Sequence, residues 1–85
     1  MIKVKLLGLF RLDTGIKEID VEAVKTVKEL YPLLLQEAKK VNPTTTITSK
    51  DIDGCIVLVN GVQSKKTTKI KDGDEVYLMS PVCGG

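Results

Sequence analysis

The sequence has 85 residues, 42% of them hydrophobic, which is enough for one small domain with a single core and too few for two domains. Its 13 basic and 11 acidic residues give a net charge of +2, and its aromatic residues are Phe10, Tyr31 and Tyr77. Because nucleic-acid-binding proteins depend on arginine forks and aromatic platforms, this composition argues against such a function. The absence of histidine from the sequence excludes a Cys-His nucleophilic pair, and we expect no zinc site.

The first predicted element is a strand with one buried face. Lys3 and Lys5 alternate with apolar residues of the opposite parity, and a period of two is typical of a β-strand. The apolar set comprises Ile2, Val4, Leu6 and Phe10. Residues 13–15 (Asp-Thr-Gly) predict a turn, and residues 16–21 predict a second strand that completes a hairpin. The alternating charges, with no small-residue cleavage site, argue against a signal peptide or a transmembrane segment, so we expect a cytoplasmic protein.

One amphipathic helix is predicted in the middle of the chain. Apolar residues recur there at intervals of three or four, namely Val27, Leu30, Leu34, Ala38 and Val41. Thr26 and Glu29 have the spacing of a capping box at the start of this pattern. Because Pro32 lies inside the pattern, we expect a kink or a break between a short first turn and the main helix. The helix should end within residues 39–41, before Asn42 and Pro43.

The second half of the chain predicts strands joined by turns. Residues 43–55 are polar and lack a clear period, which predicts a surface loop. Residues 56–59 predict an apolar strand followed by an Asn-Gly turn, residues 69–71 a brief edge strand, and residues 75–80 the last strand. The expected architecture is an α+β fold in which one main helix covers one face of a mixed sheet of about five strands. The other face is then left to solvent or to a partner.

The end of the chain resembles a known family. The segment KDGDEVYLMSPVCGG, preceded by CIVLVNG, is similar to the ubiquitin-like sulfur carriers with the β-grasp fold, and most closely to the small subunit of molybdopterin synthase. In that family a strand ending in Val-Asn-Gly precedes a Gly-Asp-Glu-Val segment, and the chain finishes in Pro-Val-x-Gly-Gly. The sequence departs from the family at Cys83, where a small or hydroxyl residue is usual, and at Met79, where many relatives carry a large aromatic residue.

The resemblance implies a β-grasp domain over residues 1–80 and a flexible diglycine tail over residues 81–85. It also implies that an adenylating enzyme of the ubiquitin-activating type uses ATP and magnesium to join the Gly85 carboxylate to AMP. Sulfur from a donor then displaces AMP to give a thiocarboxylate, and the larger synthase subunit receives it. The chain itself would bind no cofactor and would not be catalytic alone. Gly84 and Gly85 suit a narrow channel because they lack a Cβ, and Pro81 stiffens the root of the tail.

Strand parity in a β-grasp fold places a docking surface beside this tail. If the last strand turns Val76 and Leu78 toward the helix, its other residues point to the uncovered face, and half of residues 56–59 extend that face. The predicted partner-binding residues are Leu7, Leu9, Tyr77, Met79, Pro81, Val82 and Cys83. The alternative is that a loop or a second copy of the chain covers this surface.

The two cysteines are expected to be free thiols in a reducing compartment. Cys55 is interpreted as a buried small hydrophobic residue. Cys83 either replaces a small polar residue or forms a mixed disulfide or persulfide near the terminus.

Other functions fit the same sequence. One is a carrier for thiazole synthesis or tRNA thiolation. Another is a ubiquitin-like modifier whose Gly85 forms isopeptide bonds with lysines. The last is a β-grasp RNA-binding or adaptor module without tail chemistry, which predicts salt-dependent RNA affinity that survives loss of the diglycine.

Overall fold

The computed structural model describes residues 1–80, which contain five strands and three helices. The elements are β1 (Ile2–Leu7), α1 (Leu9–Thr14), β2 (Glu18–Val21), a 3-10 turn (Val27–Glu29), α2 (Leu30–Val41), α3 (Ser49–Asp53), β3 (Ile56–Val59), β4 (Val62–Ser64) and β5 (Glu75–Met79). The predicted tail, residues 81–85, lies outside the described residues. None of the helices in residues 1–80 is long and apolar enough to cross a bilayer.

The strands form one mixed sheet in the order β2-β1-β5-β3-β4. β1 and β5 run parallel to each other. β2 pairs antiparallel with β1, and the β3-β4 hairpin joins the other side of β5 through β3. Parallel neighbouring strands need a long crossover connection. The chain between β1 and β5, which includes the helices, forms this connection. The predicted α+β architecture, a β-grasp with a five-stranded mixed sheet, is confirmed.

The core lies between α2 and one face of the sheet. α2 contributes the buried residues Leu30, Tyr31, Leu34 and Ala38. The largest fully buried side chains are Ile2, Leu30, Leu78, Val4, Val27 and Val76. The even-numbered residues of β1 and β5 therefore face the helix, as their parity predicts. Full burial of one such side chain contributes on the order of 1.5–3 kcal/mol, so this layer is the main source of stability.

Truncation of Leu78 to alanine is expected to lower the free energy of unfolding by about 2–5 kcal/mol, because a cavity remains where neighbours cannot collapse. Leu78 has 0% exposure and lies against the core beside Phe10 and Leu34. Urea unfolding at fixed temperature measures the loss. The matched control is Leu12→Ala, since Leu12 is 80% exposed and its truncation should change stability by no more than about 0.5 kcal/mol. Equal losses in the two variants would contradict this assignment of the core.

The connection from β1 to β2 is a helix and not the tight turn predicted at residues 13–15. The β1-β2 pairing itself is confirmed. Gly8 ends the strand with a φ of 66°, and Gly15 ends α1 in the left-handed region with a φ of 74°. Phe10 is buried, and its carbonyl accepts a 2.7 Å hydrogen bond from the Thr14 hydroxyl. Phe10 has the same parity as the buried strand residue Leu6, but it reaches the core from a helix. Its agreement with the predicted strand pattern is therefore a coincidence.

The start of α2 follows the prediction in outline and departs from it in detail. The 3-10 turn Val27–Glu29 precedes the main helix as the predicted short first turn, but Glu29 and Leu30 both have right-handed helical φ and ψ, so the chain continues into α2 without the predicted break. Pro32 is the third residue of α2, in the first turn, where helical amides lack an intrahelical acceptor. The predicted capping box is wrong, because Thr26 makes no side-chain bond to a backbone amide. The amides of Val27 and Lys28 instead donate to carbonyls of residues 68 and 66, at 3.1 and 2.9 Å.

The segment 43–55 contains a short helix and is not only a loop. Thr48 caps α3, and its hydroxyl accepts a 3.3 Å hydrogen bond from the Asp51 amide. The Asp51 carboxylate accepts the Thr48 amide at 2.9 Å, which completes a capping box. Ile52 is buried and attaches this helix to the core. The preceding helix, α2, ends at Val41 and is capped by Asn42, so its predicted end within residues 39–41 is confirmed.

The edge strand beyond β3 is β4 and not residues 69–71. Asn60 and Gly61 have φ values of 51° and 84°, and a type I′ turn requires positive φ at both positions. The predicted Asn-Gly turn is thus confirmed, and it pairs β4 with β3. Lys69 makes only an isolated bridge to Thr26. That bridge ties the segment to the start of α2 instead of to the sheet.

Asp74 organises the turn that leads into β5. Its carboxylate accepts the Lys71 amide at 2.9 Å and the Asn60 side-chain amide at 3.1 Å. Asn60 also accepts the Glu75 amide at 3.0 Å. The Lys71 amide is the main reason that the pKa of Asp74 lies below its ordinary value of 3.8, and Asn60 adds to the effect. This buried carboxylate couples the β3-β4 hairpin to the start of the last strand.

The depressed pKa of Asp74 predicts a loss of stability in acid. A carboxyl group whose pKa is lower in the folded state stabilises the fold above the unfolded pKa, and that stability disappears as pH falls through the folded pKa. The loss should therefore begin near the ordinary value of 3.8 and continue below it. Urea unfolding as a function of pH is expected to show a shallower acid slope for Asp74→Asn than for the wild type. An unchanged slope would show that Asp74 does not contribute.

Candidate functional site

The sheet face opposite α2 carries an apolar surface near the end of β5. Cross-strand pairing places Met79 between Leu7 and Ile56, and in the next row it places Leu58 beside Tyr77. All five side chains are half-buried. We call this set the outer patch. The buried residues of the helices belong to the core on the opposite face, so in residues 1–80 the patch is supported from behind by the sheet and is open in front.

A network of charges borders the outer patch toward the start of β5. The Tyr77 hydroxyl donates to the Glu75 carboxylate. Lys5 Nζ lies 3.6 Å from Glu75 Oε1, 3.5 Å from the Tyr77 hydroxyl and 5.3 Å from the centre of the Tyr77 ring. Lys3 and Glu18 form a further ion pair at 3.5 Å. These contacts hold the Tyr77 ring in place, with its polar edge toward the charges and its apolar body in the patch.

The same hydrogen bonds shift the proton affinities of the border residues. Bonding to Tyr77 is the main cause that raises the pKa of Lys5. Bonding to Tyr77 is also the main cause that lowers the pKa of Glu75, and Lys5 adds to this effect. Both side chains therefore stay charged at neutral pH. The border gives the surface an orientation, because an arriving partner meets apolar contacts on one side and opposite charges on the other.

The structure brings together part of the predicted site. Leu7, Tyr77 and Met79 lie on the outer face as predicted. Leu9 does not belong to the first strand, because it begins α1 after the chain turns at Gly8. Cross-strand register shows that Ile56 and Leu58 are the half of β3 that extends the surface. Lys5 and Glu75 share the parity of the outer face but were not included in the predicted apolar patch, and the register of β1 and β5 brings both beside Tyr77.

The remaining predicted residues, Pro81, Val82, Cys83, Gly84 and Gly85, lie outside the described residues. Ser80 precedes them and is buried, with 5% exposure. Since β5 ends at Met79, the row of Leu7, Met79 and Ile56 is the row nearest to the tail. The apolar surface therefore lies next to residue 80, after which the sequence continues into Pro-Val-Cys-Gly-Gly.

Cys55 lies at the same end of the sheet, before β3. It is half-buried and packs against the core, and its thiol donates a weak 3.9 Å contact to the Tyr31 hydroxyl. Burial raises the pKa of the Cys55 thiol and of the Tyr31 hydroxyl. Both groups are protonated at neutral pH, so Cys55 is not an activated nucleophile. Residues 1–80 do not bring three or more potential His, Cys, Asp or Glu ligands together in a metal-binding cluster.

A five-stranded mixed sheet crossed by one main helix, with parallel first and last strands, is the β-grasp arrangement of the ubiquitin-like proteins. Within this class, the chain belongs to the ThiS family, whose sequence profile matches residues 4–85. It is thus a ubiquitin-like sulfur carrier by family. A search of curated proteins finds no significant match.

Solved structures share the whole fold. The small archaeal modifier protein 1 of Methanosarcina acetivorans is 25% identical, with a TM-score of 0.69 over 99% of this chain and 95% of that chain. A chain in the complex of subunits 1 and 2 of the molybdopterin-converting factor of Helicobacter pylori is 25% identical, with a TM-score of 0.57 over 99% and 97%. A chain in the BexX/CysO complex of Amycolatopsis orientalis is 18% identical, with a TM-score of 0.61 over 100% of both chains, and supports the fold alone.

Proposed function

We propose that this chain is the small subunit of a molybdopterin synthase and carries sulfur as a thiocarboxylate on Gly85. The observation that carries the proposal is the outer patch at the end of β5, directly before a Ser-Pro-Val-Cys-Gly-Gly terminus. The similarity to a chain in the complex of molybdopterin-converting factor subunits 1 and 2 supports a larger protein partner. The patch would anchor that partner while the diglycine enters its active site.

The chemistry follows from the terminal carboxylate. A free α-carboxyl group has a pKa of about 3.3–3.7, so Gly85 is ionised at neutral pH. One carboxylate oxygen attacks the α-phosphorus of ATP, held with magnesium in an adenylating partner, and pyrophosphate leaves. Sulfide then attacks the acyl carbon of the adenylate, AMP leaves, and a proton is released. The product is a thiocarboxylate, whose sulfur bonds to a pterin precursor. Water then attacks the acyl carbon, the carbon–sulfur bond breaks, the sulfur stays on the pterin, and Gly85 returns as a carboxylate.

A synthase assay tests the proposal independently of the activation step. The thiocarboxylated chain can be prepared by sulfide cleavage of an intein fusion and mixed with the larger synthase subunit and the pterin precursor. We expect conversion of the precursor, with one carboxylate form of the chain returned for each sulfur delivered. A thiocarboxylated chain that binds the larger subunit and yet transfers no sulfur would refute the synthase role.

A second candidate function is protein modification, favoured by the similarity to the small archaeal modifier protein 1 of Methanosarcina acetivorans. In that case the activated Gly85 carbonyl would be attacked by a lysine amine, which would form an isopeptide bond. Higher-mass adducts in cell lysates that disappear when Gly85 is deleted would support this function. Their absence, together with sulfur transfer in the synthase assay, would leave the synthase role.

A further inference from the structure

A groove lies between the first turns of α2 and the short helix α3. It has a volume of about 400 Å³, which is in the range of protein sites that bind ligands. Its apolar lining comes from Tyr31, Pro32 and Leu35 of α2. Side chains of α3 form the opposite wall, and Ile52 anchors this helix to the core. Because buried contacts hold both helices, the groove is part of the packed domain.

The rim of the groove is positively charged. Lys28 of the 3-10 turn and Lys50 of α3 both line the groove, and both are exposed. Within residues 1–80, neither side chain forms an ion pair or a hydrogen bond. The aspartate in the lining, Asp53, is already paired, since its two carboxylate oxygens lie 3.1 and 3.2 Å from Lys66 Nζ. The charges of Lys28 and Lys50 are therefore available to a ligand.

We propose that this groove binds an acidic peptide segment of a protein partner, in which apolar side chains are flanked by aspartate or glutamate. The apolar side chains would pack on the α2 wall, and the carboxylates would pair with Lys28 and Lys50. Burial of apolar surface supplies the affinity, whereas the two lysines select acidic segments over basic ones. Single-stranded nucleic acid is a poorer match, because it stacks on open aromatic rings and Tyr31 is only 8% exposed.

The groove and the outer patch lie on opposite sides of the sheet. α2 packs on one face, whereas Leu7, Tyr77 and Met79 belong to the other. A segment bound in the groove would therefore leave the outer patch open to the larger synthase subunit. Two partners could bind the chain at once, one on each side. Peptide binding at the groove is also independent of the proposed synthase role, since it does not use Gly85.

Selection from a displayed library of random short peptides on the full chain tests the proposal. We expect enriched peptides in which leucine or phenylalanine is flanked by aspartate or glutamate. The enriched peptides are synthesised with a fluorescent label, and fluorescence polarisation measures their dissociation constants. Their affinity should fall as salt is added, because both lysines are exposed and their charges are screened. Versions with asparagine and glutamine in place of the acids should bind more weakly. A selection that enriches no acidic peptides would overturn the proposal.

Charge reversal locates the bound peptide. The double variant Lys28→Glu, Lys50→Glu is expected to bind the selected peptides at least about tenfold more weakly, because two attractions become repulsions. The matched control reverses Lys39 and Lys40, which change the net charge equally from the last turn of α2, outside the groove. This control and Met79→Asp should bind within about twofold of the wild type.

Two results of these measurements would refute the groove as a peptide site. One is that the Lys28 and Lys50 reversal weakens binding no more than the control, or that Met79→Asp abolishes it, since the peptides would then bind elsewhere. The other is that a labelled single-stranded RNA binds more tightly than the peptides and loses its affinity in the Lys28 and Lys50 variant. The groove would then be a nucleic-acid site.

Discussion

Replacement of Met79 by aspartate is expected to abolish association with the larger synthase subunit. Met79 lies between Leu7 and Ile56 in the row of the outer patch nearest to the tail. A carboxylate at the centre of an apolar interface loses its water without gaining a partner. Central interface residues cost about 2 kcal/mol or more when they are lost, which corresponds to a weakening of about 30-fold or more. Titration calorimetry with the larger subunit measures the effect.

The free energy of unfolding shows whether Met79→Asp disturbs only the binding surface or also the fold. Met79 is half-buried, and aspartate in a central strand should cost no more than about 1 kcal/mol through strand propensity. The buried neighbour on the same strand, Leu78, provides the contrast, because Leu78→Ala is expected to be more destabilising. Met79→Leu is the matched control and should still bind. A stability loss for Met79→Asp as large as that of Leu78→Ala would show that Met79 belongs to the core.

Replacement of Gly84 by valine is expected to block activation although the terminal carboxylate of Gly85 is kept. A β-branched side chain at Gly84 adds bulk where the tail must enter a narrow channel, and it restricts the backbone that glycine leaves free. Displacement of a reacting group by about 1 Å can reduce the rate about 100-fold, so a reduction of at least that size is expected. ATP–pyrophosphate exchange by the adenylating enzyme measures this step before any sulfur chemistry begins.

The neighbouring substitution Cys83→Ser is the matched control for Gly84→Val. Serine is close to cysteine in size, and the resemblance to the family implies that a small or hydroxyl residue fits this position. Exchange with Cys83→Ser should therefore stay near the wild-type rate. If Gly84→Val is activated as fast as Cys83→Ser, the channel does not require a residue without a Cβ at position 84.

Strand parity predicted the two faces of the sheet because alternation is a property of the local backbone. Tyr77 and Met79 lie on the outer face for the same reason that Leu78 lies in the core. Parity does not show where a strand ends, so Leu9 was wrongly assigned to the first strand. The positive φ at Gly8 turns the chain into α1, and from there parity no longer describes which way a residue faces.

The errors elsewhere come from contacts between segments that are distant in sequence. Thr26 and Glu29 have the spacing of a capping box, but carbonyls of residues 66 and 68 accept the first amides of the turn, so the Thr26 hydroxyl is not needed. The true capping box, at Thr48 and Asp51, has the same kind of spacing. It could have been read from the sequence, since Ile52 follows as an anchor to the core.

The charged border of the outer patch required the register of the strands. Lys5 and Glu75 are far apart in sequence, and only the parallel pairing of β1 with β5 brings both beside Tyr77. A prediction from apolar residues alone therefore described the centre of the surface and missed its edge.

Intact-mass spectrometry after activation shows directly whether Gly85 carries sulfur. The chain is incubated with ATP, magnesium, a sulfide donor and the host's adenylating enzyme, and a variant that lacks Gly85 serves as the control. We expect a mass increase equal to the replacement of one oxygen by one sulfur, absent from the control. If the wild type shows neither an adenylate nor a thiocarboxylate while the same enzyme remains active on another carrier, the proposed role of Gly85 is contradicted.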